Sequence, residues 1–394
     1  MSQLSKLGIY IHVPFCRKKC EYCDFYSLGG AKDRVLADDY LYAVIRHMRE
    51  ASPRAVDYEV DTIYFGGGTP TFLGADSLAR ILAEIYRRFN VTRDAEITFE
   101  ANPDSASYRT LRRLYKAGFN RMSLGVQSDR DETLKALGRP HSFAQARQAV
   151  ADARAAGFDN LSVDLMFGLP NQTRESWART IQHISGFDCE HISCYGLTVQ
   201  PGTPLADYAD CANLPDDDTQ ADMYLYMVSA LGDLGYEQYE ISNFCRPGFA
   251  CRHNLKYWTG GAYLGFGPSA ASDFSDSRYT FVPDIHRYID GVLHQGQDML
   301  LELDAISPRE RGGEYLMLRM RTAQGISREE YQLYRLPFEP LETALRGWEA
   351  SGLALQTEEG RWRFTAQGFL LSNQLIARLL ELQEQSNPIT RLGN

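Results

Sequence analysis

No apolar stretch of this chain approaches the roughly 18 residues needed to cross a bilayer, although hydrophobic residues fill 44% of its 394 positions. It therefore does not read as an integral membrane protein. Cations are also in short supply: 41 Lys and Arg face 51 Asp and Glu, for a formal net charge of −10. Phosphate neutralisation needs the opposite balance, so a nucleic-acid partner is not expected. The 8 cysteines are too sparse for the disulfide framework of a small secreted domain. Residues Met1–Leu7 carry only Lys6 and no apolar core, which is not a signal-peptide pattern, and Met1 is expected to begin the mature protein. No G-x-G-x-x-G follows the first strand-like run, so the usual dinucleotide-binding signature is missing.

Three of the few cysteines stand together. Residues 16–23 read C-R-K-K-C-E-Y-C, placing Cys16, Cys20 and Cys23 in the loop after the strand-like run Gly8–Val13. A structural zinc or an ordinary ferredoxin cluster takes four protein ligands, whereas three in one short loop suit a [4Fe–4S] cluster with one iron left open to a small molecule. The alternatives are a zinc loop completed by a distant histidine, or three unrelated thiols. An oxygen-sensitive cluster requires a reducing compartment, and a cytoplasmic location is expected.

Beyond the loop, strand-like and helix-like stretches alternate. Strands are expected at Val60–Phe65, Glu96–Glu100, Arg121–Val126, Leu161–Met166 and His191–Leu197. Helices are expected at Ser77–Phe89, Tyr108–Ala117, Ala144–Ala156, Arg174–Ser185 and Thr219–Leu234. Such regular alternation predicts an α/β fold with a parallel sheet and crossover helices. The polar or glycine clusters fall just after strands: the cysteines, Gly66–Gly67–Gly68–Thr69–Pro70, Glu100, Gln127 and Asp164. That placement predicts a site on one rim, as at the C-terminal face of a barrel. From Ser307 onward the pattern becomes helices and a hairpin, Leu353–Gln356 with Arg361–Phe364, then a helix over Gly368–Leu382. This resembles a winged helix, yet the segment has no lysine and its arginines are matched by glutamates. Packing or protein contact is expected of it rather than DNA binding.

The cysteine triad with Tyr22 before its last member resembles the radical S-adenosylmethionine (SAM) superfamily. The strings Ile9–Tyr10–Ile11–His12–Val13–Pro14–Phe15–Cys16, Gly66–Thr71, Leu124–Gly125–Val126–Gln127–Ser128 and Asp164–Leu165–Met166–Phe167–Gly168–Leu169–Pro170 narrow the likeness. Together they are similar to the coproporphyrinogen III dehydrogenase family, HemN, and its relative HemW. The resemblance implies a partial (β/α)6 radical SAM barrel with a smaller C-terminal winged-helix-like α+β domain. The expected regions are 1–240 for the barrel with its cluster loop, 241–306 for a barrel-closing region, and 307–394 for the C-terminal domain. It also implies that Cys16, Cys20 and Cys23 ligate a [4Fe–4S] cluster. SAM would be contacted by Tyr10, Tyr22, Gly67, Gly68, Thr69, Glu100, Gln127, Arg139 and Asp164, with Thr198 a weaker candidate. Each of these taken alone reads better as a cap, a turn or a surface ion pair, and it is the set of strings that carries the resemblance.

Two features separate the relatives. The dehydrogenases typically carry a further cysteine two places beyond the triad, where this chain has Phe25, and a longer arm before it, where only Met1–Phe15 stand here. The string His253–Asn254–Leu255–Lys256–Tyr257–Trp258 resembles the heme-associated motif of HemW proteins. By that likeness His253, Asn254, Tyr257 and Trp258 would serve heme, with the imidazole an axial ligand or else a hydrogen-bonded core residue. The expectation is a heme chaperone whose partners are heme and acceptor hemoproteins, with a homodimer left open. The alternative is an oxygen-independent coproporphyrinogen III dehydrogenase. Cys189, His191 and Cys194 are expected in the core, and Cys245 and Cys251 as structural thiols.

Overall fold

The computed structural model describes residues 4–294 and 299–386. Positions 1–3, 295–298 and 387–394, parts of the three expected regions, lie outside the described residues. The chain forms two compact units, residues 1–223 with 262–304, and residues 224–261 with 305–394. The stretch 241–306 is thus shared between them, up to 261 with the second and from 262 to 304 with the first.

The first unit is built on six parallel strands: β1 (Ser5–Val13), β2 (Tyr58–Gly67), β3 (Val91–Ala101), β4 (Arg121–Gln127), β5 (Leu161–Phe167) and β6 (His191–Gly196). Each pairs in parallel with the next in sequence, so all six C-terminal ends lie on one rim. On its other side β1 pairs in parallel with Tyr263–Phe266, followed by the antiparallel strands Ala271–Phe274 and Ser277–Phe281. The sheet is therefore an open half-barrel. Alternate residues of a strand share a face, and one face is apolar and fully buried in both β1, with Leu7, Ile9, Ile11 and Val13, and β4, with Met122, Leu124 and Val126.

Helices α1 (Arg34–Ala51), α2 (Ala75–Arg88), α3 (Tyr108–Ala117), α4 (Phe143–Ala156) and α5 (Arg174–Ser185) follow the first five strands in turn. Their ends are written in the sequence. Ser142 with Gln145 and Thr173 with Ser176 form capping boxes that satisfy the first amide donors of α4 and α5. Gly118 and Gly157 take the left-handed conformation that stops α3 and α4. Ala146, Ala149, Ala153 and Ala156 form much of the buried face of α4.

In the second unit, Glu237–Glu240 and Asn243–Cys245 form an antiparallel pair ahead of a helix at Arg252–Thr259. After helices at Pro308–Arg319 and Glu339–Ala350 comes the small hairpin Ala354–Gln356 with Trp362–Phe364. The helix expected as one piece over Gly368–Leu382 is two, Ala366–Leu370 and Ser372–Gln385, because Leu371 leaves helical geometry. No helix among the described residues is long and apolar enough to cross a membrane.

Candidate functional site

The cysteine loop leaves the C-terminal end of β1 and is held by its own backbone. Phe15 and Cys16 pair with Leu28 and Gly29, and Leu28 N donates to Pro14 O at 2.7 Å. Further along, Glu21 N donates to Leu137 O at 3.1 Å, and Glu21 O accepts from Leu205 N at 2.8 Å. Cys16 and Cys20 are buried and Cys23 is half-buried. Burial pushes the Cys16 thiol up and that of Cys23 to about 11, so these thiols hold their protons more firmly than usual.

The glycine turn after β2 packs against this loop. Gly68 N donates to Val13 O at 2.9 Å and Thr69 N to Phe15 O at 2.8 Å. A Cβ on Gly68 would stand 2.9 Å from each of the Phe15 and Val13 carbonyl oxygens and 3.0 Å from Cys16 Sγ. Gly67 has φ of +106°, and a Cβ there would meet the His12 ring at 2.6 Å. Position 67 therefore requires glycine for its backbone angle and the His12 ring, and position 68 requires it so that the start of the cysteine loop can close over it. Thr69 Oγ1 lies 3.5 Å from Cys16 Sγ.

Glu100, one residue before the end of β3, stands beside this turn. Its carboxylate accepts from Tyr64 Oη at 2.9 Å and from Gly67 N at 3.2 Å. Burial raises it to about 7, against the pull of the Tyr64 hydrogen bond and with a further push from Asp164. Tyr10 stacks on Tyr64, ring centroids 6.3 Å apart, and meets His12 Nδ1 through its hydroxyl at 3.1 Å. On the next strands Ser123 Oγ donates to both oxygens of Asp164, at 3.0 and 3.2 Å, and burial raises that acid too. Gln127, where the β4–β5 register shifts, holds φ of 66°, a left-handed backbone that a non-glycine residue adopts only under constraint.

Arg139 reaches the same rim from the turn after β4. Its Nη2 donates to Gly125 O at 2.6 Å and to Asn102 Oδ1 at 2.7 Å, and its Nη1 to Cys20 Sγ at 3.5 Å. Its Nε is buried and has no partner. Tyr22 packs on the apolar cluster of Leu137, Met166, Leu169, Leu197, Leu205 and Ala212.

The structure thus gathers Tyr10, Gly67, Gly68, Thr69, Glu100 and Arg139 around the cysteine loop, with Asp164 electrostatically coupled to Glu100. Sequence reasoning missed Asn102 and Tyr64. The signal for Asn102 was present: Glu96, Thr98 and Glu100 alternate onto one face of β3, and position 102 is the next in that series.

The other motif lies in the second unit, on the helix Arg252–Thr259. His253 is fully buried, with 0% exposure. Its Nε2 is 2.9 Å from Tyr257 Oη, one turn along, and the two rings meet edge to face. Asn254, Tyr257 and Trp258 are half-buried. Cys189 and Cys194 are buried in the first unit, Cys245 and Cys251 in the second.

The ionisation of Glu100 has a measurable consequence. Because the folded protein binds this proton more tightly than the unfolded chain, the stabilisation from Glu100 is full below its ordinary value and lost as pH rises through about 7. Glu100→Gln is expected to flatten the decline in stability of the cluster-free protein between pH 5 and 7.5, by on the order of 3 kcal/mol. Glu240, which burial also raises to about 7, leaves a residual slope in the variant. Thermal unfolding across that range checks this; a variant with the parent's slope excludes Glu100 as its source.

The chain is similar to known proteins over nearly its whole length. Residues 10–184 match the radical SAM superfamily and residues 306–371 the HemN C-terminal domain. The heme chaperone HemW of Bacillus subtilis is 34% identical, over 94% of this chain and 98% of that protein. HemW of Escherichia coli K12 is also 34% identical, over 96% and 100%. The mouse mitochondrial radical S-adenosyl methionine domain-containing protein 1 is 33% identical over 94% and 83%. Among solved structures, E. coli coproporphyrinogen III oxidase HemN, a radical SAM enzyme, superposes with a TM-score of 0.82 at 25% identity, over 95% of this chain and 90% of that one. The half-barrel with its three-cysteine loop is thus a radical SAM scaffold. Within that superfamily the chain belongs to the HemW family.

Proposed function

We propose that this protein is a heme chaperone that carries a [4Fe–4S] cluster and SAM on the rim of its half-barrel and delivers heme to acceptor hemoproteins. The observation that carries the reading is the near full-length match to proteins named HemW, joined to Phe25 at the place of the dehydrogenase's extra cysteine. The donor set fits the cofactors. Cys16, Cys20 and Cys23 would hold iron, and the partnerless buried Nε of Arg139 leaves a donor for the methionine carboxylate. Glu100 and Gln127 would take the ribose, Tyr22 the adenine face, and Tyr10, Gly67, Gly68, Thr69 and Asp164 complete the cradle. When bound, cluster and SAM together supply one-electron chemistry. The protein's own part is to hold and orient them and to keep the thiol loop closed.

Heme is cargo in this reading, received at His253, Asn254, Tyr257 and Trp258. Since Tyr257 Oη occupies His253 Nε2, iron ligation through that nitrogen requires the hydroxyl to yield. The test is anaerobic reconstitution followed by heme titration and, in parallel, product analysis with coproporphyrinogen III. Expected are saturable heme binding, no protoporphyrinogen, and an altered heme absorption spectrum in His253→Ala with cluster content unchanged. Formation of protoporphyrinogen would overturn the chaperone reading in favour of the dehydrogenase, and heme binding untouched when His253, Tyr257 and Trp258 are all replaced would overturn the assignment of heme to this motif.

A further inference from the structure

Asn102 contacts no cysteine, yet its side-chain amide joins the two groups that do. On one side Arg139 Nη2 donates to Asn102 Oδ1 at 2.7 Å, and Arg139 Nη1 lies 3.5 Å from Cys20 Sγ. On the other Asn102 Nδ2 donates to Thr69 Oγ1 at 3.1 Å, and Thr69 Oγ1 lies 3.5 Å from Cys16 Sγ. Elementary hydrogen-bond chemistry fixes the direction of every link. A guanidinium only donates, so the amide oxygen must face it. The amide N–H groups then face Thr69, whose oxygen accepts. The hydroxyl proton of Thr69 is left to point at Cys16. A metal-bound cysteine sulfur has no proton of its own and can only accept, so both ends of the chain terminate on sulfur as donors.

We propose that Asn102 is a positioning residue for the cluster. Through Arg139 and Thr69 it aims one donor at the Cys20 sulfur and one at the Cys16 sulfur, and so raises the reduction potential. Donors to sulfur favour the reduced, more negative cluster, and hydrogen bonds to sulfur are among the features that set cluster potentials. Arg139 keeps a second anchor in Gly125 O at 2.6 Å, so removing Asn102 loosens its aim without expelling the side chain. The inference rests on the reading that the three cysteines hold a cluster.

The experiment compares parent, Asn102→Ala, Thr69→Val and the double variant after anaerobic reconstitution, without SAM. Iron and sulfide are counted first, then the midpoint potential is read by titration followed with electron paramagnetic resonance. Both single variants are expected to retain the cluster and to shift to more negative potential, Asn102→Ala by a factor of about ten in the reduction equilibrium, which is ~59 mV for one electron. The double variant should shift by less than the sum, because both substitutions act through the same Thr69 hydroxyl. A parent midpoint in a fully loaded Asn102→Ala protein overturns the relay, as do additive shifts. Where Asn102→Ala takes up no iron, Thr69→Val decides alone, and a parent midpoint in it overturns the relay. A parent chain that takes up no iron overturns the cluster assignment itself, and the relay with it.

Discussion

Cys20→Ala protein, reconstituted anaerobically, is expected to carry iron and acid-labile sulfide at background, against about four irons per chain in the parent. The three thiols come from one loop, and each is an anchor that no neighbour can replace. Cys20 is buried at the centre of the triad, within reach of the Arg139 guanidinium, so its loss also leaves that cation facing an emptied position. Of the remaining cysteines, Cys189, Cys194, Cys245 and Cys251 are buried in their cores and Cys211 is exposed. Alanine at any of these five should leave iron content unchanged. Iron and sulfide analysis with electron paramagnetic resonance after reduction separates the two sets. A normal cluster in Cys20→Ala would sink the assignment.

The second large effect concerns the turn beneath the loop. Gly68→Val places branched carbon where two backbone carbonyls already stand at 2.9 Å and Cys16 Sγ at 3.0 Å. Backbone cannot swing aside as a flexible side chain does, so the cysteine loop itself must lift. A cost of about 1–3 kcal/mol is expected from overpacking, with iron uptake falling alongside stability. Gly74→Ala is the control. That glycine also has positive φ, +105°, but a Cβ there meets only Lys32 Nζ at 3.6 Å. It should cost about 1 kcal/mol through backbone conformation alone, with full iron uptake. Melting temperature and iron content are read together, and a Gly68→Val protein with parental values of both would make the close approach irrelevant.

Much of this architecture is legible in the chain. The helices expected at Tyr108–Ala117 and Arg174–Ser185 are found with those bounds, because Ser107 and Thr173 cap their starts and an amphipathic pattern fills the turns beyond each cap. Strands buried on both faces announce themselves as short apolar runs. α1 was harder to see, since its buried face mixes alanines with Tyr40 and His47 and so shows weak contrast. The rim could be located because its polar residues come directly after strands. What each one touches was not legible: that Gly68 serves the cysteine loop, that Asn102 bridges two sulfur-facing groups, and that His253 Nε2 meets the Tyr257 hydroxyl are facts of packing that no local pattern spells out. The interleaving of the two units was hidden for a similar reason, as no composition change marks residues 261 and 262.

The strand order also sets a timetable. β1, which launches the cysteine loop, has two neighbours: β2, which is made soon after it, and Tyr263–Phe266, which leaves the ribosome about 250 residues later. α1 waits equally long, for His47 Nδ1 bonds Tyr288 Oη and Arg46 Nη1 bonds Leu293 O. At roughly 5–20 residues per second, that separation corresponds to some ten to fifty seconds of translation. Throughout it one edge of β1 is unsatisfied and the thiols belong to a half-enclosed nascent chain. The cysteine loop is thus among the earliest parts of the first unit to be made and among the last to be shut in.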